Sequence, residues 1–519
     1  MRVEYVLVAL FAVATAVALV ARRFRVPYTV ALVIAGLALG TAHALEPPHL
    51  TRELLYAVFL PGLLFEASFA LEFKKFWANK VAVTALAVPG LLLAIALTSF
   101  LLVPVVNGLH FVEDFTLLEG LVFAAVIAAT DPIAVVGLFK ALGAPKRLAV
   151  LVEGESLLND GTAVVVFTII VGVAAGQPFS LPVALVEFVR VVGMGVLVGL
   201  AFGYGASLVI QKVDDPMIEI TVTTIAAYGS FVAAEHFHYS GVIATVTAGM
   251  LCGNYAARTG MSPSTRIAVA TFWEYLAFAL NSLVFLLIGF EVEEDALVAA
   301  WLPIVVGFGA VVLGRAAVIY LVSLLLKRSS EAIPWSWATV LTWGGLRGSL
   351  SMVLVLGLPQ SLPHRDILVT MTFGVVILSI LVQGLTMGPL LRRLGLVGHH
   401  GAALELERLR GQSQGAAAAL QELTRLEQAG GVSSAALAQV RAAYEERQAG
   451  LRKAIDAVHL EAADAAAEER RRALVHALTA EKDALLSAKA RGALDAAVLD
   501  ELIADVDRRL VEASTAANV

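Results

Sequence analysis

The chain has 519 residues, of which 59% are hydrophobic and 15% charged, and its mean hydropathy is +0.82. A soluble domain carries about 25% charged residues, so the composition excludes an ordinary water-soluble protein and indicates a polytopic membrane protein. The formal charge of −6 offers nothing to nucleic acid, and the single cysteine, Cys252, excludes an intrachain disulfide and a cysteine–metal cluster.

Apolar runs recur from residue 3 to residue 391 and predict about thirteen membrane helices. They cover 3–21, 27–42, 50–71, 80–106, 117–139, 148–176, 181–210, 217–236, 240–256, 269–290, 296–326, 334–358 and 366–391. The first run is followed, not preceded, by Arg22, Arg23 and Arg25, which marks a retained span rather than a cleaved signal. Basic residues then follow every odd span: Lys74, Lys75 and Lys80; Lys140, Lys146 and Arg147; Lys212; Arg258 and Arg266; Lys327 and Arg328; Arg392 and Arg393. The opposite side holds Arg2, Arg52 and Arg365. Lysine and arginine concentrate in cytoplasmic loops, so the N-terminus is expected outside and the C-terminal tail inside. Alanine- and valine-rich spans with compact loops suggest a bacterial inner membrane.

Two echoes link distant spans. PGLLFEASFALEF (61–73) resembles NSLVFLLIGFEVEE (281–294), and the polar interruption ATDPIA (129–134) is matched by GGLRGSLS (344–351). Both pairs have the same odd offset in span number, so the partners cross the bilayer in opposite directions, as inverted repeats require. Near residue 399 the composition shifts to Ala, Glu, Arg and Leu with no spanning run. The expected domains are therefore a transmembrane unit, 1–398, and a cytosolic α-helical tail, 399–519. Gly430–Gly431 and Ser433–Ser434 divide the tail, and mixed charges such as Glu468 to Arg472 give it a solvated character.

A charge near the bilayer centre costs at least about 2.5–3.5 kcal/mol. Five positions are singled out as such charges: Glu66, Asp131, the cluster Glu153, Glu155 and Asp160, Arg315 and Arg347. Glu153 lies nearest the cytoplasmic end. Helical spacing puts Ser156 and Asp160 on one face with Asn159 beside them. Glu155 points roughly 140° away from Asp160 and needs its own partner, for which Arg315 is the candidate. Pro132 removes a backbone hydrogen bond and disfavours helix at Thr130–Asp131. Gly344, Gly345 and Gly348 allow a second break. Asp131 and Arg347 are then placed to offset the partial charges of the half-helix ends. Asp160, Ser156, Asn159 and freed carbonyls near Thr130 form a set of hard oxygen donors suited to Na⁺. Removal from water favours the protonated form of a carboxylate, so one carboxyl group can hold either H⁺ or Na⁺. If only loaded forms change sides, competition alone yields antiport.

These residues carry a family resemblance. LPGLLFEASF (60–69), AATDPIAVVGLFK (128–140), EGESLLNDGTAVVVF (153–167), SGVIATVTAGMLCGN (240–254), LGRAAVIY (313–320) and GGLRGSLSM (344–352) resemble the monovalent cation–proton antiporters of the NhaP-type and sodium–proton exchanger branch. The resemblance covers residues 1–395. It implies an NhaA/NhaP-like fold of thirteen helices with inverted repeats, two crossed broken helices and a homodimer with a moving core. It also implies a cation and proton site of Asp160, Asn159, Ser156, Thr130 and Glu66. Na⁺ would be held by Asp160, Ser156, Thr130 and Glu66, and Glu155–Arg315 would be a structural salt bridge. The Asn–Asp pair goes with electroneutral one-for-one exchange in that family.

The expected activity is thus electroneutral Na⁺/H⁺ antiport with Li⁺ accepted, as a secondary transporter rather than an enzyme and without a cofactor. K⁺/H⁺ exchange is the runner-up. A non-transporting ion sensor signalling through the tail is the alternative from another class. An intramembrane aspartyl protease is set aside, because its Tyr–Asp and Gly-x-Gly-Asp pairs do not occur in the spans.

Overall fold

A computed structural model describes residues 3–24, 27–41, 53, 55–112, 114–290, 294–396, 399–429, 437–457, 474, 478–479, 481–482, 485 and 502–509. Among them every regular element is helical. The chain divides into two compact units, Met1–Val397 and Gly398–Val519.

In chain order the first unit comprises α1 (Val3–Phe24), α2 (Tyr28–Thr41), α3 (Leu60–Ala70), α4 (Lys80–Gly108), α5 (Leu117–Val126), α6 (Ile133–Leu142), α7 (Lys146–Ala174) and α8 (Leu181–Ile210). It continues with α9 (Pro216–His236), α10 (Gly241–Leu251), α11 (Pro263–Phe290), α12 (Trp301–Arg328), α13 (Trp335–Trp343), α14 (Ser349–Leu356) and α15 (Arg365–Arg393). Among the described residues, seven of these (α4, α7, α8, α9, α11, α12 and α15) are long and apolar enough to cross a membrane. Shorter apolar helices, including α2, α5 and α6, accompany them. The second unit holds α16 (His399–Ala429) and a helix over 437–457, joined by Arg441 Nη2 donating to Glu427 Oε2 at 2.7 Å. Arg2, Arg25, Arg52, Gly430–Gly431, Ser433–Ser434 and Glu468–Arg472, used above, lie outside the described residues.

Helices in lipid have no hydrophobic drive to associate, so close backbone approach through small residues matters more than in water. The contact of α2 with α11 is of this kind. A Cβ on Gly36 would lie 2.1 Å from the Leu286 carbonyl oxygen, and one on Gly289 would lie 2.4 Å from that of Val33. Tyr28 and Ser282, whose hydroxyls are 2.6 Å apart, fasten the same pair. By contrast α8 keeps Leu185, Val189, Leu197 and Leu200 exposed, an apolar face suited to lipid. Trp77, Trp301 and Trp335 are also exposed and lie at or beside helix ends, where indole rings favour the membrane–water interface.

The two breaks fall where the sequence disfavours helix. Residues 127–132 separate α5 from α6, and 344–348 separate α13 from α14. Thr116 and Glu119 form a capping box that starts α5, and Gly143, at φ +68°, ends α6 in the left-handed conformation.

Candidate ion site at the crossing of two broken helices

The breaks touch. The Asp131 amide donates to the Leu346 carbonyl at 2.7 Å, joining the unwound strands directly. Arg347, 4% exposed, donates from Nη1 to the carbonyls of Ala128 at 2.7 Å and Ala129 at 3.2 Å. The cation of the second break thus closes the carbonyl end of α5 in the first. Asp131 in turn accepts from the Ile133 amide at 3.0 Å, at the amide end of α6. Each charge faces the helix end of opposite partial sign. The fit requires glycine at 348: a Cβ there would lie 2.5 Å from the Asp131 side chain.

Beside the crossing lies a cavity of about 290 Å³. Glu66 of α3, Thr130 and Asp131 of the first break, and Ser156 and Asp160 of α7 line it, with Lys140 and Glu153 also on its wall. Ser156 Oγ donates a short hydrogen bond to the Thr130 carbonyl, and Asn159 Nδ2 donates to Thr130 Oγ1 at 3.3 Å. These two bonds fix Thr130 against α7. Among the described residues, the carboxylates of Asp160 and Glu66 make no hydrogen bond or ion pair. The cavity therefore brings the unpartnered carboxylates of Asp160 and Glu66 together with the hydroxyls of Ser156 and Thr130, all hard oxygen donors fit for a small cation or a proton.

On the other side of α7, Glu155 accepts from Arg315 Nη1 at 2.7 Å and Nη2 at 2.9 Å, a forked pair with side-chain exposures of 4% and 11%. Arg315 also donates from Nε and Nη2 to the Leu341 carbonyl, at 3.1 and 3.0 Å. Leu341 lies in the last turn of α13, whose carbonyls lose their intrahelical partners at the break. One guanidinium thus joins α7 and α12 and caps the end of a broken helix.

Asp160, Ser156, Thr130, Glu66 and Asp131 all line the cavity. Asn159 does not line it. Its amide reaches Thr130, and the residue lines a small chamber with Glu155, Arg315 and Arg347. Helical spacing alone placed it with Ser156 and Asp160; its hydrogen bond and burial put it behind them. Two features were missed in the sequence. Glu274 of α11 shares with Glu66 the lining of a second cavity of about 210 Å³, together with Glu72, Arg258 and Arg266. A carboxylate five residues into the apolar run 269–290 was the available signal. Glu119, 4% exposed, lies 2.6 Å from Nδ1 of His364, a residue whose spacing gave no hint of a partner.

The sequence profile of the family described as "Sodium/hydrogen exchanger, transmembrane" matches residues 6–393. The chain is 40% identical over 391 residues to the low-affinity Na⁺/H⁺ antiporter NhaS1 of Synechocystis sp., covering 74% of this chain and 73% of that one. It is 33% identical over 518 residues to the Na⁺/H⁺ antiporter NhaS2 of the same organism, covering 97% and 93%. Its fold is similar to that of the sodium proton antiporter MjNhaP1 of Methanocaldococcus jannaschii, with a TM-score of 0.62 at 18% identity, over 76% of this chain and 99% of that one.

Proposed function

Because the chain belongs to the sodium/hydrogen exchanger family, we propose that it exchanges Na⁺ for H⁺ across the membrane, one for one, by competition at Asp160. The observation that carries the reading is the Asp160 carboxylate itself. It lines a cavity with Ser156, Thr130 and Glu66, and no protein donor among the described residues occupies it. A carboxylate held without a partner binds whichever cation arrives. With H⁺ it becomes neutral; with Na⁺ its charge is offset and the neighbouring oxygens complete the shell. Both loaded forms have the same net charge, so alternation between them moves no charge across the membrane and the exchange is electroneutral. Li⁺, smaller and equally hard, is accepted by the same set.

The crossing supplies the rest. Asp131 and Arg347 face half-helix ends of opposite partial sign and hold the crossing beside Asp160. The Glu155–Arg315 fork holds α7, which bears the ligands, to α12. We assign residues 1–398 to exchange and 399–519 to a cytosolic, regulatory tail, with the N-terminus outside a bacterial inner membrane. The cavity wall includes Lys140 and Glu153, which the charge pattern assigns to the cytoplasmic side, so in this reading the site faces inward. A homodimer would provide the fixed frame against which the ion-bearing core moves.

The test is proton flux in proteoliposomes with an internal pH dye, voltage clamped near zero, under imposed Na⁺, Li⁺ or K⁺ gradients. Na⁺-driven alkalinisation or acidification in wild type and none in Asp160→Asn is the expected result. A larger response to K⁺ would replace the cation in the reading. No cation-coupled flux from folded protein, with and without the tail, would favour the sensor instead.

A further inference from the structure

Behind Asn159 lies a chamber of about 30 Å³, separate from the cavity that holds Asp160. Its polar lining is Thr98 of α4, Glu155 and Asn159 of α7, Arg315 of α12 and Arg347 of the second break. Asn159 is 2% exposed and its Nδ2 is committed to Thr130, yet its Oδ1 is buried without a hydrogen-bond partner. A buried acceptor left without a donor forfeits its hydration with nothing in return. Thr98, 4% exposed, shares the wall of this chamber.

We infer that this chamber binds one ordered water, which donates to Asn159 Oδ1 and is held by the Thr98 hydroxyl. Thr98 is thereby a positioning residue for the cation site. The space exceeds the roughly 10–15 Å³ that one water needs, and buried waters typically satisfy about three otherwise unpaired groups. Chemistry selects water over an ion. Two guanidinium groups on the wall oppose a metal cation. A halide would meet those groups favourably but would face the Glu155 carboxylate and leave Asn159 Oδ1 without a donor. Water both donates and accepts, so it serves Oδ1, the guanidinium N–H groups and Thr98 together.

The consequence reaches the ion through one side chain. With Oδ1 held by water, the Asn159 amide is fixed with Nδ2 toward Thr130 Oγ1. That bond takes one lone pair of the threonine hydroxyl and leaves the other for the cavity. Without the water, the carboxamide gains by rotating Oδ1 toward another donor, and the Thr130 oxygen loses its orientation. The inference rests on the reading of Asp160 and Thr130 as cation ligands, but the water itself does not.

Two measurements on the full-length protein in nanodiscs test it. In a structure at about 2 Å, density for a water within hydrogen-bond reach of Asn159 Oδ1 and Thr98 Oγ1, lost in Thr98→Val, is expected. An empty chamber in a map that shows other buried waters overturns the inference whatever the protein transports. In the flux assay, Thr98→Val should raise the KM for Na⁺ about fivefold, the loss of about one hydrogen bond, with kcat within about twofold, and Thr98→Ser should restore wild-type KM. Equal impairment by valine and serine, or none by either, overturns the positioning role. If wild type shows no Na⁺-coupled flux, the proposed function fails and the density alone decides the water.

Discussion

Arg347 reaches back across 219 residues to place Nη1 2.7 Å from the carbonyl oxygen of Ala128. A cation in one broken helix therefore terminates the other, and neither break is satisfied alone. Arg347→Ala is expected to leave the Ala128 and Ala129 carbonyls without a donor and to destabilise the first unit by about 2–5 kcal/mol. Arg347→Lys should recover part of this, since an ammonium group reaches one carbonyl but lacks the planar fork. Thermal melting in detergent, with flux measured in parallel, checks both; an alanine variant that melts like wild type contradicts the assignment.

Glu155→Ala and Arg315→Ala should each cost about 3–5 kcal/mol, because each strands a buried charge. Arg315→Lys should fail nearly as badly, since it loses the fork to Glu155 and the second bond to Leu341. In a double-mutant cycle, Glu155→Ala with Arg315→Ala should be less destabilised than the sum of the two, but should remain below wild type because the Leu341 carbonyl stays uncapped. Additive losses would mean that the two residues do not act as a pair.

Gly348→Ala places a methyl group 2.5 Å from the Asp131 side chain. The unwound strands cannot then approach as they do, and a loss of about 1–3 kcal/mol is expected, with exchange falling more than stability because the shift falls at the ion cavity. Gly395→Ala is not an equivalent control, since Gly395 has a positive φ. Gly411→Ala, at a position with no atom within 4 Å of the new Cβ, should be silent in the same flux and melting assays.

The proposed competition at Asp160 fixes the sign of the pH dependence. Where the site is largely protonated, each unit of pH decrease should raise the Na⁺ KM about tenfold by mass action. Where it is ionised, KM should be flat. Maximal rate at saturating Na⁺ should fall at high pH, as the return leg lacks protons. KM independent of pH across 5.5–9, measured in the proteoliposome assay, contradicts a shared site.

Much of this architecture was legible because membrane helices tolerate few exceptions. Pro132 and the glycines at 344, 345 and 348 are local backbone statements, and the helices end beside them. Glu155 and Arg315 were visible as charges without an alternative partner in the apolar runs. What escaped depends on tertiary direction. The seat of Asn159 is decided by a bond to Thr130, 29 residues away, rather than by its angle on the helix. The second duty of Arg315, on the Leu341 carbonyl, involves a backbone group that leaves no trace in composition. Glu119 and His364 sit at the ends of apolar runs, where a charged or titratable residue reads as an ordinary boundary.

The distance in sequence between Ala128 and Arg347 also sets an order of biogenesis. Chains emerge N-terminus first, and units complete only when their last part has been made. Asp131, Thr130 and Asp160 are synthesised and inserted long before the residue that closes their crossing exists. During that interval the open carbonyls of α5 and the acidic side chains of α7 must rest against water or the insertion machinery rather than lipid. The candidate ion site is therefore among the last features of the membrane unit to form, and truncation anywhere between residues 161 and 346 yields a chain that contains its proposed ligands but lacks the arginine that closes their crossing.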